Sequence, residues 1–437
     1  MITADYDKYK NLQNESPEKV FQIQNDNFIS HLKYAEANSP FYKKLFKKNN
    51  IDINSITSIE NINMLPFTSK EDINKFNREF QAVPDDKIVD ICLTSATTGS
   101  KPTSFAQTFS DLKRLAFNEE VSFKIAGLKE LDTVLVGAAL GRCFMAGLAY
   151  FLGGASLGCR MVRAGSGNAA QLWELIKLTN CTCIVGVPTM TKKIADYALG
   201  KGENPKKSKV TKIIGIGEAL RDSELNTLPL TDRIEELWGA DILSTYASTE
   251  ISTTFVECSY KKGGHMRPEL IVVEIIDENG NTLPYGKHGE VIVTPLGITG
   301  MPLIRFKTGD ISFIINSECP CGRNSMRLGP ILGRKNQMLK YKGTTIFPNH
   351  LLSIIEGNEN FYGGYIEARK NQDGTDRIIM YISVKNNNFT TKYIEEELRA
   401  KARVVPEINT ISSEELDLRI NQSGKRKKIQ FIDMRNK

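Results

Sequence analysis

The spacing of apolar and polar positions changes three times along the chain. Over 26–49, apolar and small residues recur at helical intervals, with Phe28, His31, Leu32 and Ala35 on one face, until Ser39-Pro40 interrupts the run. The first ninety residues read as helices and loops. From 130 to 250 the apolar runs 133–137, 183–187 and 210–214 read as strands, and the amphipathic stretches 170–178 and 191–198 lie between them. This alternation predicts a mostly parallel sheet covered by helices. Short strands over 270–276, 290–294 and 311–315, with a turn at Asp277-Glu-Asn-Gly280, predict a small antiparallel or barrel-like unit. Beyond Gly333 comes a Lys-rich segment, a strand pair over 364–384 turning at Asp373-Gly374, and a charged helix over 393–403. The last hundred residues read as a separate α+β domain.

Length and composition narrow the class. The chain has 437 residues, enough for two or three domains and a sizeable core. Its net charge of +6 is too weak to argue for nucleic acid and suits an anionic small substrate. The polar stretch Met1 to Val20 carries no secretory signal. The longest uncharged apolar run, Cys143 to Cys159, is 17 residues long and too short to span a bilayer, so a buried helix is expected. These features predict a soluble, cytoplasmic protein with no membrane or nucleic-acid partner. The eight cysteines are then expected as thiols, with Cys92, Cys143 and Cys159 in the core and Cys181 and Cys183 along a buried strand.

Thr94-Ser-Ala-Thr-Thr-Gly-Ser-Lys-Pro-Thr103 is the most informative stretch. Its hydroxyls, Gly99 and Lys101 offer donors and charge to an oxyanion, although it is not a Walker A motif; a polar surface loop is the plain alternative. The segment resembles the phosphate loop of adenylate-forming enzymes, and the whole chain resembles the phenylacetate–coenzyme A ligase-like branch. Seven further matches run in order: Asn38-Ser-Pro-Phe-Tyr42, Leu65-Pro-Phe-Thr-Ser-Lys70, Gly217-Glu-Ala-Leu220, Tyr246-Ala-Ser-Thr-Glu250, Arg305-Phe-Lys-Thr-Gly-Asp310, Gly333-Arg-Lys-Asn-Gln-Met-Leu-Lys-Tyr-Lys-Gly343 and Gly424-Lys425.

The resemblance implies a large N-terminal adenylate-forming domain, 1–333, of mixed sheets, helices and a small barrel-like part. A small mobile α+β domain, 334–437, follows a hinge at Lys335 and Asn336. Thr94, Ser95, Thr97, Thr98, Gly99 and Lys101 are implied to hold the ATP phosphates. Gly217, Glu218 and Ala219 lie against the adenine in such enzymes. Tyr246 offers it a flat face, beside Ala247 and Ser248, at the carboxyl end of a strand where open α/β sheets bind ligands. Thr249 suits a phosphate and Glu250 a Mg²⁺ ion. Asp310, expected just after a tight turn, matches the ribose-binding carboxylate, Arg334 the ribose or phosphate arginine, and Lys425 the catalytic lysine. Phe144, Met145 and Gly147, with Gly215, match the acyl pocket. Ala96, Ala247 and Asn336 depart from the usual glycine, glycine and aspartate, Ser100 is an insertion, and Lys428 stands where arginine is common.

Cys258-x6-His265 and Cys319-x-Cys321 supply four nitrogen and sulfur ligands, a number that suits structural zinc; unrelated buried thiols are the alternative. Members of the family with a similar set favour zinc. The resulting expectation is an ATP- and Mg²⁺-dependent ligase that turns a carboxylic acid, aromatic by the resemblance, into an acyl-AMP and passes it to coenzyme A. A carrier-protein thiol or an amine is the alternative acceptor. The branch also implies a homodimer. The rival reading is a zinc-stabilised binding protein that uses the basic run Lys425-Arg-Lys-Lys428.

Overall fold

Helix α1 (Pro17–Asn38) begins where the Ser16 hydroxyl accepts a hydrogen bond from the Lys19 amide and Pro17 fills the first turn. It ends at Ser39 because a residue before proline is driven out of helical geometry, and α2 (Pro40–Lys48) restarts at Pro40. A reciprocal cap between Ser69 and Asp72 opens α3 (Lys70–Phe80). Strands β1 (Ile88–Leu93) and β2 (Ser104–Thr108) pair antiparallel. Thr108 and Asp111 then cap α4 (Phe109–Ile125) in the same reciprocal way. This computed structural model describes residues 4–94, 102–341, 344–358, 360–371, 376–385, 390–402, 404–420 and 429–435.

The predicted alternation follows as β3 (Thr133–Val136), α5 (Met145–Leu157), β4 (Arg160–Arg163), α6 (Ala169–Thr179), β5 (Cys183–Gly186), α7 (Pro188–Gly200), β6 (Lys212–Ile216), α8 (Pro229–Trp238) and β7 (Asp241–Tyr246). Next come β8 (Phe255–Val256), β9 (Gly264–His265), β10 (Ile271–Ile276), β11 (Gly289–Pro295), β12 (Phe306–Ser312), β13 (Ile314–Ile315), β14 (Arg327–Leu328) and β15 (Gly333–Arg334). The chain ends with β16 (Leu339–Tyr341), β17 (Thr344–Ile346), α9 (Pro348–Ile355), β18 (Phe361–Lys370), β19 (Asp376–Val384), α10 (Thr391–Ala402), β20 (Glu407–Thr410), α11 (Ser413–Ile420) and β21 (Phe431–Asp433).

Two compact units result. The first takes Met1–Glu218, Leu237–Thr308 and Ser312–Pro330; the second takes Ala219–Glu236, Gly309–Ile311 and Ile331–Lys437. In the first, a large sheet has the order β13-β14-β9-β8-β7-β6-β5-β3-β4. Strands β4, β3, β5, β6 and β7 run parallel, while β8, β9, β14 and β13 continue antiparallel. Val134, Val136, Val185 and Ile214 form its core with Phe117 and Val121 of α4 and Tyr150 and Leu157 of α5. Each such side chain contributes about 1.5–3 kcal/mol on burial. The uncharged apolar run therefore forms α5, packed within the protein. Among the described residues no helix is long and apolar enough to cross a membrane.

In the second unit, β18 pairs antiparallel with β19, with β21 and β20 parallel on the outer sides. Leu351, Leu352, Ile394 and Leu398 of α9 and α10 pack against Ile366 and Met380. Leu416 of α11 packs with Tyr365.

Two expectations need correction. Cys143 is exposed, not a core residue. Arg142 and Cys143 both have left-handed backbone (φ 59° and 53°), which turns the loop outward while the Cys143 carbonyl accepts from the Leu93 amide. The strand expected over 311–315 is split between β12 and β13, so Asp310 lies inside a strand, not after a turn. Gly309, at φ 74°, bends the backbone within that strand.

Candidate active site

Strands β3, β5, β6 and β7 are parallel neighbours, so the loops leaving their carboxyl ends share one edge of the sheet. That edge is where open α/β sheets place ligands. It receives 139–147 after β3, 187–189 after β5, Gly217-Glu218 after β6 and Ala247–Glu250 after β7. Gly215 sits in β6 between Gly186 and Ser244 of the adjacent strands.

The loop after β7 is tied down from several sides. Tyr246 pairs with Phe255 across β7 and β8, and their rings stack at 5.8 Å. The Ser252 amide donates to the Ser248 carbonyl (3.1 Å), and the Ser252 hydroxyl to the Thr249 carbonyl (2.9 Å). The buried Arg114 guanidinium donates to the Ser252 carbonyl and to Thr253 Oγ1 (2.9 Å). Ala247 has no positive φ, which explains how alanine is accommodated there. Glu250 is mostly buried, with a side-chain exposure of 13%, and its carboxylate lies 4.0 Å from the Lys70 ammonium.

The Met145 sulfur, at the start of α5, lies 3.9 Å from the Ser252 hydroxyl, so the segment expected to line an acyl pocket comes beside the Glu250 loop. Phe144 is the residue before that helix. Gly147 admits no side chain: a Cβ would fall 2.3 Å from the Ala139 carbonyl oxygen. Gly217 has φ 77°. The Glu218 carboxylate accepts from the amide (2.9 Å) and hydroxyl (2.8 Å) of Thr189, in the first turn of α7. Glu218 thus caps that helix and anchors the turn.

Thr94 is buried, and its amide and hydroxyl are both bonded to the backbone of Thr103. Ser95, Thr97, Thr98, Gly99 and Lys101 lie outside the described residues, as does Lys425. In the second unit Asp310 and Arg334 are paired across β12 and β15, Nε to Oδ1 3.4 Å. Ala219 begins that unit's first segment, and Lys335 and Asn336 form a short 3-10 turn after β15.

The four predicted metal ligands come together. One ligand atom from each of Cys258, His265, Cys319 and Cys321 lies within 4.8 Å of the others. The Cys258 and Cys319 sulfurs are 3.7 Å apart, and Cys321 Sγ is 3.5 Å from His265 Nε2. Bonds of about 2.3 Å to sulfur and about 2.0–2.1 Å to nitrogen give tetrahedral edges of about 3.8 and 3.6 Å, so both separations fit zinc. Burial, helped by the Arg323, Arg267 and Arg327 cations, holds His265 neutral by pushing its pKa down to about 3. Burial pushes Cys258 up to about 12. At half-buried Cys321 burial acts the same way, but hydrogen bonds from Arg323 and the neighbouring thiols outweigh it and lower the thiol.

Sequence reasoning missed the placement of Lys70, Arg114, Thr189 and Ser325. The cap Ser69-x-x-Asp72 was a visible signal that Lys70 opens a helix; the others depend on contacts distant in sequence.

The family model described as AMP-binding enzyme matches residues 10–300. The phenylacetate–coenzyme A ligase of Thermus thermophilus is 28% identical over 344 residues, 77% of this chain and 75% of that protein. That of Pseudomonas putida is 29% identical over 345 residues, 78% and 76% of the two chains. Protein CapK of Staphylococcus aureus is 26% identical over 395 residues, 87% and 82%. A crystal structure of 2-hydroxyisobutyryl-CoA ligase in the postadenylation state, in complex with 2-HIB-AMP, aligns with TM-score 0.83 at 20% identity over 97% of this chain and 92% of that one. The extent of the family match settles the classification: the chain belongs to the AMP-binding enzymes.

Proposed function

We propose that the protein activates a carboxylic acid with ATP and transfers the acyl group to the thiol of coenzyme A. The observation that carries the reading is the shared strand edge, whose loops carry Met145, Gly217, Thr249 and Glu250 beside Tyr246 at the end of β7. In the first step a carboxylate oxygen of the acid attacks the α-phosphorus, the bond to pyrophosphate breaks, and acyl-AMP forms. In the second, the thiol attacks the acyl carbon and AMP leaves. Tyr246 supplies a flat face for adenine, beside Ala247, Ser248 and the Gly217–Ala219 turn. Thr249 donates to a phosphate oxygen. Glu250 is the carboxylate for Mg²⁺, which neutralises phosphate charge when bound. Positioning and charge stabilisation, more than proton transfer, drive such a phosphoryl step.

By the family likeness, Thr94, Ser95, Thr97, Thr98, Gly99 and Lys101 hold the phosphates. Asp310 and Arg334 serve the ribose, and Lys425 serves the reacting carboxylate and α-phosphate. The boundary proposed between the two domains is 333/334, with the hinge for the second step at Lys335 and Asn336. Phe144, Met145, Gly147 and Gly215 line the acyl site, and an aromatic acid is the preferred substrate class. Cys258, His265, Cys319 and Cys321 hold a structural Zn²⁺, since four protein ligands leave no open position.

Acid-dependent ATP–pyrophosphate exchange, run with aromatic, heteroaromatic and aliphatic acids, tests the first step. Exchange with aromatic acids supports adenylation and the substrate class, whereas exchange with aliphatic acids alone overturns the substrate class. Absence of exchange and of ATP binding in folded, zinc-loaded protein would sink the reading. Product formation with free coenzyme A, compared with a carrier-protein thiol and with amines, tests the acceptor.

A further inference from the structure

We infer that Ser325 is the positioning residue that makes Nε2 of His265 the metal-binding nitrogen. This inference rests on the zinc reading above. His265 Nδ1 lies 2.9 Å from the Ser325 hydroxyl, while Nε2 faces Cys321 Sγ at 3.5 Å. An imidazole that binds a metal through one nitrogen carries its proton on the other, and the partner of that second N–H fixes the tautomer and the ring orientation. With the Ser325 oxygen accepting from Nδ1–H, the Nε2 lone pair points among the sulfurs. The opposite arrangement, in which Ser325 donates to Nδ1, leaves a proton on Nε2 where the metal must bind.

The position of Ser325 is itself fixed. His265 pairs with Arg327 across β9 and β14, and the Met266 amide donates to the Met326 carbonyl (2.9 Å). The Arg327 guanidinium donates to the carbonyls of Lys262 and Ser317, both at 2.6 Å, which lie on the loops leading to His265 and Cys319. Ser325 is buried, so in its absence Nδ1–H loses its partner away from bulk water.

The test is metal affinity measured without reference to catalysis. Metal-free protein is titrated with Zn²⁺ against a competing chelator, and with Co²⁺ to read the absorption bands of a tetrahedral thiolate site. The wild-type protein is expected to take one metal ion. Ser325→Ala is expected to take one also, with the same band positions but roughly 10–100-fold weaker affinity, the usual range for loss of such a partner. Ser325→Thr, which keeps the hydroxyl, is expected to restore it. Wild-type affinity in Ser325→Ala would overturn the inference, and so would a loss that Ser325→Thr fails to rescue, because packing alone would then account for it. Absence of a tetrahedral Co²⁺ spectrum in the wild type would instead overturn the zinc reading.

Discussion

The Lys70 ammonium stands 4.0 Å from the Glu250 carboxylate, joining the first residue of α3 to the loop proposed to hold Mg²⁺. Neither group is fully exposed: the side-chain exposures are 27% and 13%. An ion pair of this kind adds at most about 1 kcal/mol to stability. If Glu250 meets the nucleotide phosphates as proposed, this ammonium puts a positive charge beside them. Lys70→Met is expected to slow ATP–pyrophosphate exchange about tenfold, or by roughly 1.4 kcal/mol of barrier, with little change in melting temperature. Unchanged exchange at limiting ATP would rule out that role.

Much of this was legible in the sequence for physical reasons. The parallel core writes itself as continuous apolar runs because its strands are covered on both faces, so 133–137 and 183–187 stood out. Ser39-Pro40 marked the break between α1 and α2. The likeness to phenylacetate–coenzyme A ligases, carried by short motifs, is matched by relatives of 24–29% identity. Cys143 misled because its apolar neighbours belong to α5 while the residue itself sits on a left-handed turn before it. Arg114 was illegible because its acceptors at Ser252, Leu270 and Leu296 are more than a hundred residues away and all three are backbone carbonyls, which carry no residue-type signal.

Glu250→Gln keeps the shape of the side chain and removes the charge proposed to hold Mg²⁺. Adenylation is expected to fall about 10²–10³-fold, comparable to loss of one transition-state stabilising group. Thioester formation from supplied acyl-AMP is expected to persist, because it involves no pyrophosphate. Lys425→Ala should show the same split. Single-turnover assays of the two half-reactions check both variants, and equal loss in both steps would remove these residues from the adenylation role.

Metal removal tests a connection across the sheet. His265 pairs with Val256 of β8, and the neighbouring Phe255 stacks on Tyr246. Stripping the cluster with a chelator is expected to lower the melting temperature and to weaken ATP binding about fivefold or more, the low end of coupling between sites. Calorimetric titration of ATP before and after zinc removal reads this directly. An unchanged dissociation constant in protein verified to be metal-free would mean that the cluster stabilises its own loops without supporting the adenine face.

His31 supplies a pH dependence of stability. It is buried in α1, with Nε2 3.3 Å from the Leu303 carbonyl, and burial pushes its pKa from 6.5 down to about 4. The folded state therefore resists protonation that the unfolded chain accepts. The stability linked to the neutral ring is fully present above about pH 6.5 and is lost as pH falls through about 4. At 1.36 kcal/mol per pKa unit, the loss between pH 7 and pH 4 is about 3 kcal/mol. His31→Gln keeps a donor for Leu303 and removes the titration. Urea unfolding of both proteins across this range should give a stability difference that shifts toward the variant as pH drops. A difference that stays flat would mean that His31 protonates in place, with the carbonyl of Leu303 and local water accommodating the charge.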